Sequence, residues 1–245
     1  MPRFLRKFFS IFLFSREKRH RFVNAWGKTR NGGKNNRIIV IRRDGREEIL
    51  PPWRVIPGVR IIFSGDNNIL RLYQPFSFYD CDILLEDGSL AEIGPSPYRI
   101  GKASFCVQNA GILRIGKNFS CMDHLQITGF DEPGLKVVIG DACMFSYDVT
   151  MRPSDGHAVY DLQTKKVLNQ GKDIVLGKHV WVGMKCIFLK GAEIADNCVV
   201  GGGSLVNKSF SEPNSIYAGV PARRIGKRPV CWSRRNPAEF QKEKL

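Results

Sequence analysis

Residues 176–206 read LGKHVWVGMKCIFLKGAEIADNCVVGGGSLV and carry a large apolar residue at every sixth position. The apolar series is Leu176, Val182, Phe188, Ile194, Val200 and Val206. Compact residues stand four positions after the first five of these: Val180, Cys186, Ala192, Cys198 and Ser204. Glycine or alanine often follows the apolar position directly. This stretch is therefore a hexapeptide repeat.

A period of six fits neither an α-helix, with its repeat of 3.6 residues, nor a half-buried strand, which alternates every two residues. It fits a chain wound in flat turns, in which each hexad forms one short strand and one corner. Three hexads make one coil, and successive coils should lie about 4.8 Å apart, as neighbouring strands do in any sheet. The predicted stacked pairs are Leu176 with Ile194, Val182 with Val200, and Phe188 with Val206.

The same period continues upstream in two shorter runs. They are Ile115, Cys121, Ile127 and then Ile139, Phe145, Met151. The missing position between them is Pro133, in the sequence Asp-Glu-Pro-Gly, which predicts a turn pushed out at a corner. Met151 and Leu176 are separated by far more than one hexad, so about nineteen residues must form an insertion. The regular coils are predicted to begin at Ile115 at the latest.

Length and charge limit the function classes. A chain of 245 residues fits one domain with appendages. The net charge of +15 is concentrated in residues 1–46, which contribute +12, so the remainder of the chain is close to neutral. Nucleic-acid binding by the coils is therefore not expected, because such proteins carry a basic surface on the folded domain.

The seven cysteines form no C-x-x-C pair, and their number is odd. They predict neither a disulfide framework nor a zinc knuckle. Cys143, Cys186 and Cys198 occupy the compact position of a hexad and Cys121 an interior one, so they should behave as small hydrophobic residues. Reduced, buried thiols favour the cytoplasm. No cleavable secretory signal and no apolar run of the ~20 residues that a membrane span needs is evident.

The chain divides into four predicted regions. Residues 1–36 form a basic amphipathic arm and linker, and residues 37–54 a hairpin around Asp44-Gly45 that caps the open end of the coils. Residues 55–210 form the β-helix, with irregular early coils up to Gly111 and an inserted loop at about 153–175. Residues 211–245 form a C-terminal cap or tail, either helix or strand.

Residues 1–21 alternate bases with bulky apolar residues. As a helix this segment would present an aromatic face and a cationic face, a composition typical of peripheral contact with an anionic membrane surface. Contact with a partner protein, such as one of capsule synthesis, and plain disorder are the alternatives.

The insertion contains the residues best suited to chemistry. The flat wall of a coil makes no pocket, whereas a loop extended from a corner can build one. His157, with Asp155, Tyr160 and Asp161 nearby, could accept a proton near pH 7 while a carboxylate or carbonyl holds its other ring nitrogen. An exposed turn histidine without a catalytic role is the alternative.

Three motifs occur in order: Asp155-Gly156-His157 with Tyr160-Asp161, residues 174–183 (IVLGKHVWVG) and residues 218–222 (AGVPA). Together they resemble the left-handed β-helix acetyltransferases, and the loop is most similar to bacterial capsular polysaccharide and sialic acid O-acetyltransferases. The match covers roughly Ile112 to Ile225. The resemblance implies an all-β protein, a left-handed parallel β-helix with an inserted active-site loop and small terminal appendages.

The resemblance also implies an activity. It predicts a homotrimer that binds acetyl-CoA in the groove between subunits, with His157 as the general base for a sugar hydroxyl. The acceptor would belong to a bacterial surface polysaccharide or its precursor, such as a capsule or sialic acid polymer, with Asp155 and Tyr160 as acceptor contacts. Trp181 matches a tryptophan at the family's site and should project outward, although trimer packing explains it equally well.

Coenzyme contacts follow from the same resemblance. Bare corners at Gly183, Gly201, Gly202 and Ser204 would admit the pantetheine arm, or would serve only backbone geometry. A backbone N–H between Trp181 and Gly183 is the candidate donor to the oxyanion. The cations predicted to meet the coenzyme phosphates, unless they are simply solvated, are Lys208, Arg223 and Arg224.

Two rival functions remain. Zinc carbonic anhydrases share the scaffold and use three histidines, but His124, His157 and His179 lack the spacing of five that this family's motif requires, so no metal is predicted. A non-catalytic scaffold attached to the membrane by its basic arm is the second rival. It would have no need of the Asp155-Gly156-His157 motif.

Overall fold

The computed structural model describes residues 28–242, which form three sheets of mainly parallel strands around one closed apolar core. From residue 103 onward the chain passes from the first sheet to the second and third and then returns to the first, one coil higher. In earlier coils the third side holds isolated bridges, such as that of Phe78 with Ile100. We call the turn between the first and second sheets the first corner, that between the second and third the second corner, and that between the third and first the third corner. The core is the interior of this triangular column.

The strands of each sheet are given in spatial order. The first sheet contains β1 Lys28–Asn31, β4 Val59–Ser64, β6 Cys81–Glu86, β8 Ala103–Val107, β11 Leu125–Ile127, β14 Thr150–Arg152, β17 Ile187–Leu189 and β20 Leu205–Val206. The second contains β3 Glu47–Leu50, β2 Arg37–Ile41, β5 Ile69–Tyr73, β7 Leu90–Ile93, β9 Ile112–Ile115, β12 Lys136–Ile139, β15 Ile174–Leu176, β18 Glu193–Ile194 and β21 Ser209–Phe210. The third contains β10 Ser120–Cys121, β13 Met144–Phe145, β16 Trp181–Val182, β19 Val199–Val200, β22 Ile216–Gly219 and β23 Ala222–Ile225.

The register of the hexads is confirmed. The three predicted pairs are direct strand partners: Leu176 with Ile194, Val182 with Val200, and Phe188 with Val206. The upstream runs stack in the same columns, for example Ile115 with Ile139 and Ile139 with Leu176. These side chains are almost completely buried. The apolar residue of each hexad therefore points into the shared interior.

The compact residues of the hexads are buried as well, which confirms the structural interpretation of the cysteines. Cys143, Cys186 and Cys198 have no exposed surface, and Cys121 lies in the interior column. Burial raises the pKa of the Cys121 and Cys143 thiols to about 12, so both remain protonated near neutral pH. These residues act as small apolar side chains.

The early coils are regular, but their period is not six. In the first sheet Val59 pairs with Cys81, and Ala103 pairs with Leu125, each 22 residues further along the chain. Strands β4, β6 and β8 are five or six residues long and alternate buried with outward positions. The longer strands and corners carry the extra residues, which explains why no hexad is visible in this part of the sequence.

The N-terminal cap is the predicted hairpin, since β2 and β3 pair in antiparallel fashion and β3 ends the second sheet. Part of the predicted linker forms a strand instead. Lys28–Asn31 form β1, which pairs in parallel with β4 and ends the first sheet. The backbone of β4 would otherwise present an unpaired edge, and β1 satisfies it.

The coils also extend beyond the predicted boundary at residue 210. Strand β22 stacks on β19, and β23 turns back against β22 to close the third sheet. The tail then runs back down the second corner, where the indole Nε1–H of Trp232 donates to the His179 carbonyl at 2.7 Å. Arg234 donates to the carbonyls of Asn118 and Cys143 in coils further down. A short helix, α1 Pro237–Lys242, follows.

The first corner carries the excursions that matter for function. The turn predicted around Pro133 lies between β11 and β12, and the insertion occupies residues 153–173, between β14 and β15. Ile127 and Met151, which pair in β11 and β14, bring both excursions to the same corner in successive coils. The predicted arm of residues 1–21 lies outside the described residues. Within residues 28–242, no helix is long and apolar enough to cross a membrane.

The buried register can be tested with Ile194→Asp. Ile194 stacks between Leu176 and Phe210 and is 3% exposed, so an aspartate there would bury an unpaired carboxylate at a cost of several kcal/mol. We expect a large fall in melting temperature or no folded protein. Ile194→Val, the control, should cost about 0.5–1.5 kcal/mol. A melting curve for Ile194→Asp that matches the wild type would contradict the register.

Candidate active site

The inserted loop, residues 153–173, is an ordered excursion with its own internal bonds. Tyr160 and Val167 form an antiparallel bridge across it. At the tip, the Asp161 carboxylate accepts hydrogen bonds from the backbone N–H of Thr164 at 2.6 Å and from its hydroxyl at 2.8 Å. These bonds lower the Asp161 pKa and close the turn. Asp161 is therefore a turn residue at the loop tip.

A cavity of about 300 Å³ opens between the base of this loop and the turn one coil below. Its lining residues are Asp131, Glu132, Ser154, Asp155, Gly156, His157, Ala158, Val167, Asn169 and Gln170. His157 is exposed, and its ring makes no hydrogen bond with any residue that the structure describes. The imidazole is therefore available to a ligand in the cavity.

The side chain of Asn169 makes three hydrogen bonds to the segment around His157. Its Nδ2 donates to the His157 carbonyl at 2.8 Å and to Asp155 Oδ2 at 2.9 Å. Its Oδ1 accepts the backbone N–H of Val159 at 2.7 Å. Asn169 thus contacts the segment on both sides of His157.

The Asp155 carboxylate makes no recorded hydrogen bond to the His157 ring and is bonded elsewhere. Its Oδ2 accepts from Lys190 Nζ and from Asn169. The hydrogen bond from Lys190 is the main reason that the Asp155 pKa is lowered, followed by that from Asn169. Lys190 directly follows β17, one coil above, so the ion pair ties the loop to the column.

Two cavity residues come from the turn one coil below. Asp131 Oδ2 accepts from the buried Ser154 hydroxyl at 2.5 Å, and Glu132 Oε1 accepts from the Gly171 N–H at 2.6 Å. The sequence contains a signal for this contact. The turn around Pro133 and the insertion each follow a strand of the same stack, so both must lie at one corner. The sequence analysis predicts only a corner turn there, whereas the turn also lines the cavity.

The other predicted acceptor contact, Tyr160, does not line the cavity. Its ring is half exposed, and the Lys165 ammonium lies 5.6 Å from the ring centre. Tyr160 instead pairs with Val167 across the loop.

Trp181 projects outward from the third sheet, as predicted, with 40% of its surface exposed. Its ring lies 6.1 Å from that of Trp232, which stacks on His179 at 4.2 Å. Trp181 is not among the residues that line the His157 cavity. One chain therefore presents His157 and Trp181 on different sides of the column.

The predicted glycine cluster lies at the third corner. A Cβ added at Gly183 would meet the Gly202 nitrogen at 2.5 Å, so close coil stacking alone requires glycine there. The Ser204 hydroxyl donates to the Gly201 carbonyl and accepts the Gly219 N–H at 3.1 Å. The backbone of Gly202 remains exposed. Of the four positions, Gly202 is the one most open to a ligand.

The candidate oxyanion donors are largely used within the column. The N–H of Trp181 donates to the Cys198 carbonyl at 2.9 Å, and that of Gly183 to the Val200 carbonyl at 2.8 Å. Parallel strands of successive coils use their backbone N–H groups to bond one another. The N–H groups of Trp181 and Gly183 are therefore excluded as oxyanion donors.

The predicted phosphate-binding cations do not form one cluster. Lys208 lies at the first corner, between β20 and β21, with its ammonium 5.3 Å from the Phe210 ring centre. Arg223 and Arg224 belong to β23 in the third sheet, and Arg224 forms an ion pair with Glu212. Arg223 is exposed.

The three histidines of the rival zinc hypothesis lie apart. His124 Nδ1 is 3.0 Å from Asp148 Oδ1 at the third corner, whereas His179 Nδ1 is 3.2 Å from Asn197 Oδ1 at the second. His157 belongs to the first corner. Within residues 28–242, no group of three or more His, Cys, Asp or Glu side chains is arranged to hold a metal ion.

Comparison with known proteins gives matches over the repeat region. Residues 173–208 match the bacterial transferase hexapeptide family, described as six repeats. The polysialic acid O-acetyltransferase of Escherichia coli O1:K1 / APEC is 36% identical over 104 residues, which are 42% of this chain and 33% of that protein. The galactoside O-acetyltransferase of Escherichia coli strain K12 is 34% identical over 113 residues, 46% of this chain and 53% of that protein. The chain thus spans a third to about half of the length of these relatives.

Two crystal structures share the fold over most of the chain. The polySia-specific acetyltransferase NeuO superposes with a TM-score of 0.73 at 23% identity, covering 89% of this chain and 99% of that one. The polysialic acid O-acetyltransferase OatWY gives 0.67 at 24% identity, with 88% and 96% covered. Residues 173–208 are therefore repeats of the bacterial transferase hexapeptide family, carried in the left-handed β-helix fold of the acetyltransferases that the sequence resembles.

Proposed function

We propose that the protein is an acetyl-CoA-dependent O-acetyltransferase that acts on a sugar hydroxyl of a bacterial surface polysaccharide or its precursor. The observation that carries this proposal is the His157 imidazole, which lines a cavity on a loop inserted into hexapeptide coils and has no hydrogen-bond partner among the described residues. The curated relatives named above, which are O-acetyltransferases, support the reaction class.

The reaction needs little from the protein beyond alignment and proton transfer. His157 removes the proton of the acceptor hydroxyl, and the sugar oxygen attacks the acetyl carbonyl carbon. The carbon–sulfur bond then breaks, and the departing thiolate takes the proton from the imidazolium. Because a thioester is already activated, positioning the two substrates supplies much of the rate, and proton removal adds about 10²–10⁴-fold.

We further propose that the working site lies between subunits of a homotrimer. A cavity of about 300 Å³ is at the lower limit for one small ligand, whereas two substrates must meet here. Trp181 lies away from the His157 cavity in its own chain, and a neighbouring copy could supply it. The inserted loop also exposes apolar side chains that suit an interface: Val159 at 57%, Leu162 at 76% and Leu168 at 65%.

The acceptor can be narrowed by charge. The cavity is lined by the carboxyl groups of Asp131, Glu132 and Asp155. Lys190 and Arg152, which do not line the cavity, form ion pairs with Asp155 and Asp131, so Glu132 is the carboxylate of the three without a recorded ion pair among the described residues. In each carboxyl group only one oxygen makes a recorded hydrogen bond. The other oxygens can accept from sugar hydroxyls, whereas a carboxylate beside them would be repelled. This favours a neutral sugar at the point of transfer over the carboxylate-bearing part of a sialic acid.

The general-base role predicts a specific loss in His157→Ala. Turnover should fall by at least about 10²-fold, because proton removal is lost, while the melting temperature and oligomeric state stay unchanged. His124→Ala is the matched control, since it removes another exposed histidine from a different corner. Steady-state rates of thiol release from acetyl-CoA with a panel of sugars would measure both. Near-wild-type turnover in His157→Ala would refute the general-base role. If the wild-type protein releases no thiol with any acceptor, the alternative of a non-catalytic scaffold would be favoured.

The intersubunit site predicts complementation between two inactive variants. His157→Ala and Trp181→Ala should each be nearly inactive. When the two variants are co-expressed, they should mix randomly in trimers and recover about a quarter of the wild-type activity. In such trimers about a quarter of the interfaces pair an intact His157 with an intact Trp181 of the neighbouring subunit. Variants mixed only after assembly serve as the control. No recovery on co-expression would mean that both residues act within one chain.

The charge argument predicts acceptor preference. Purified protein should acetylate neutral hexose oligosaccharides with a higher kcat/KM than sialic acid oligomers of the same length. Asp131→Asn and Glu132→Gln should narrow that difference by removing negative charge from the cavity. A clear preference for sialic acid oligomers, unaffected by these two substitutions, would contradict the argument.

A further inference from the structure

We infer that Asn169 is a positioning residue, whose side-chain amide fixes residues 155–159 so that the His157 ring faces the acceptor. Asn169 lies on the returning arm of the inserted loop and was not among the residues predicted from the sequence. The inference rests on the proposed function for its kinetic consequences, but its structural core can be tested without any activity.

The side-chain amide of Asn169 has both of its polar atoms in use at this one place. The amide nitrogen donates two hydrogen bonds, to the His157 carbonyl and to Asp155 Oδ2, and the amide oxygen accepts the Val159 N–H. An amide side chain has two N–H donors and one carbonyl acceptor. Asparagine therefore satisfies a pattern of two acceptors and one donor that aspartate or leucine could not.

These three hydrogen bonds from Asn169, here called the clamp, matter because the one recorded hydrogen bond of His157 itself is the one that its carbonyl accepts from Asn169. Elsewhere in the segment, Ser154 Oγ accepts the Gly156 N–H at 3.3 Å, and the Val159 carbonyl accepts the Leu168 N–H at 2.7 Å. The segment 155–159 belongs to no strand, all five residues are exposed, and Gly156 has a φ of +80°. The imidazole itself makes no hydrogen bond with the described residues. The position of the ring therefore depends on the backbone, and Asn169 is bonded to that backbone at His157 and two residues beyond it.

Lys190 connects this clamp to the rigid column. Its Nζ contacts Asp155 Oδ2 and donates to the Asn169 carbonyl at 3.0 Å. Lys190 follows Leu189, whose strand pairs with β14 immediately before the inserted loop. Both arms of the loop are thus tied to a coil that cannot move independently of the core.

The chemistry makes such a clamp consequential. A general base must lie within hydrogen-bond reach of the proton that it removes, about 2.6–3.2 Å between heavy atoms. A displacement of about 1 Å can cost on the order of 10²-fold in rate. Ordinary loop hydrogen bonds would stabilise the loop without this sensitivity in turnover.

The experiment compares Asn169→Ala, Asn169→Asp and Thr164→Ala. Asn169→Ala removes all three contacts, whereas Asn169→Asp keeps the acceptor for Val159 but loses both donors. Thr164→Ala is the matched control, because it removes a side-chain hydrogen bond from the tip of the same loop, outside the cavity. Amide hydrogen exchange is followed for peptides that cover residues 155–159, and kcat and KM are measured for both substrates.

We expect the Val159 amide to exchange at least about tenfold faster in Asn169→Ala, because its only recorded acceptor is gone. In Asn169→Asp the amide should exchange more slowly than in Asn169→Ala, because an acceptor remains, although the new carboxylate is repelled by that of Asp155. In both variants kcat should fall about tenfold or more, with the KM for acetyl-CoA within about twofold of the wild type. Thr164→Ala should leave the Val159 amide and kcat unchanged.

Unchanged exchange in Asn169→Ala would overturn the clamp. Faster exchange with wild-type kcat would overturn the positioning role, leaving Asn169 as an ordinary loop contact. If the wild type shows no transferase activity with any acceptor, the proposed function fails, and the exchange data still decide whether Asn169 holds the segment. The two failures are therefore distinguishable.

Discussion

The backbone hydrogen bonds between successive coils are the constraint on which the rest of the structure depends. Each strand inside a sheet bonds to the coil below and the coil above, so an interior residue must stack on another interior residue. A one-residue slip would turn the apolar side chains outward. Extra residues can therefore leave the column only at corners, and strands on either side of an insertion keep their register, as Met151 and Phe188 do.

The site follows from that constraint, because neighbouring coils bring separate sequence segments to one corner. The turn that contains Asp131 lies below, the loop that contains His157 lies in the middle, and Lys190 lies above. The buried strands of the column fix the positions of the Asp131 turn and of Lys190. The ion pair between Lys190 and Asp155 then restrains the loop. A rigid solenoid thus supports an exposed histidine on a segment that has no regular secondary structure.

The sequence was informative where the period was regular. Six-residue spacing predicted the stacked pairs from Ile115 to Val206, the buried cysteines and the inserted loop with His157. The six-residue spacing did not predict the early coils of 22 residues. Their longer strands alternate buried and outward residues every two positions, so no period of six appears in the sequence. The clamp by Asn169 was not predictable, since its partners are backbone atoms of a loop whose path depends on tertiary contacts. The ion pair of Asp155 with Lys190, 35 residues away, was not predictable for the same reason.

The central claim is that two copies of the chain build one reaction centre, with the imidazole of one copy facing a thioester held against the coils of the next. A crystal structure of the assembled protein with coenzyme A tests it most directly. The account predicts the coenzyme sulfur in contact with the His157 ring, within the groove between two protomers and beside the neighbour's third corner. Coenzyme bound wholly within one chain, or a sulfur remote from His157, would contradict it.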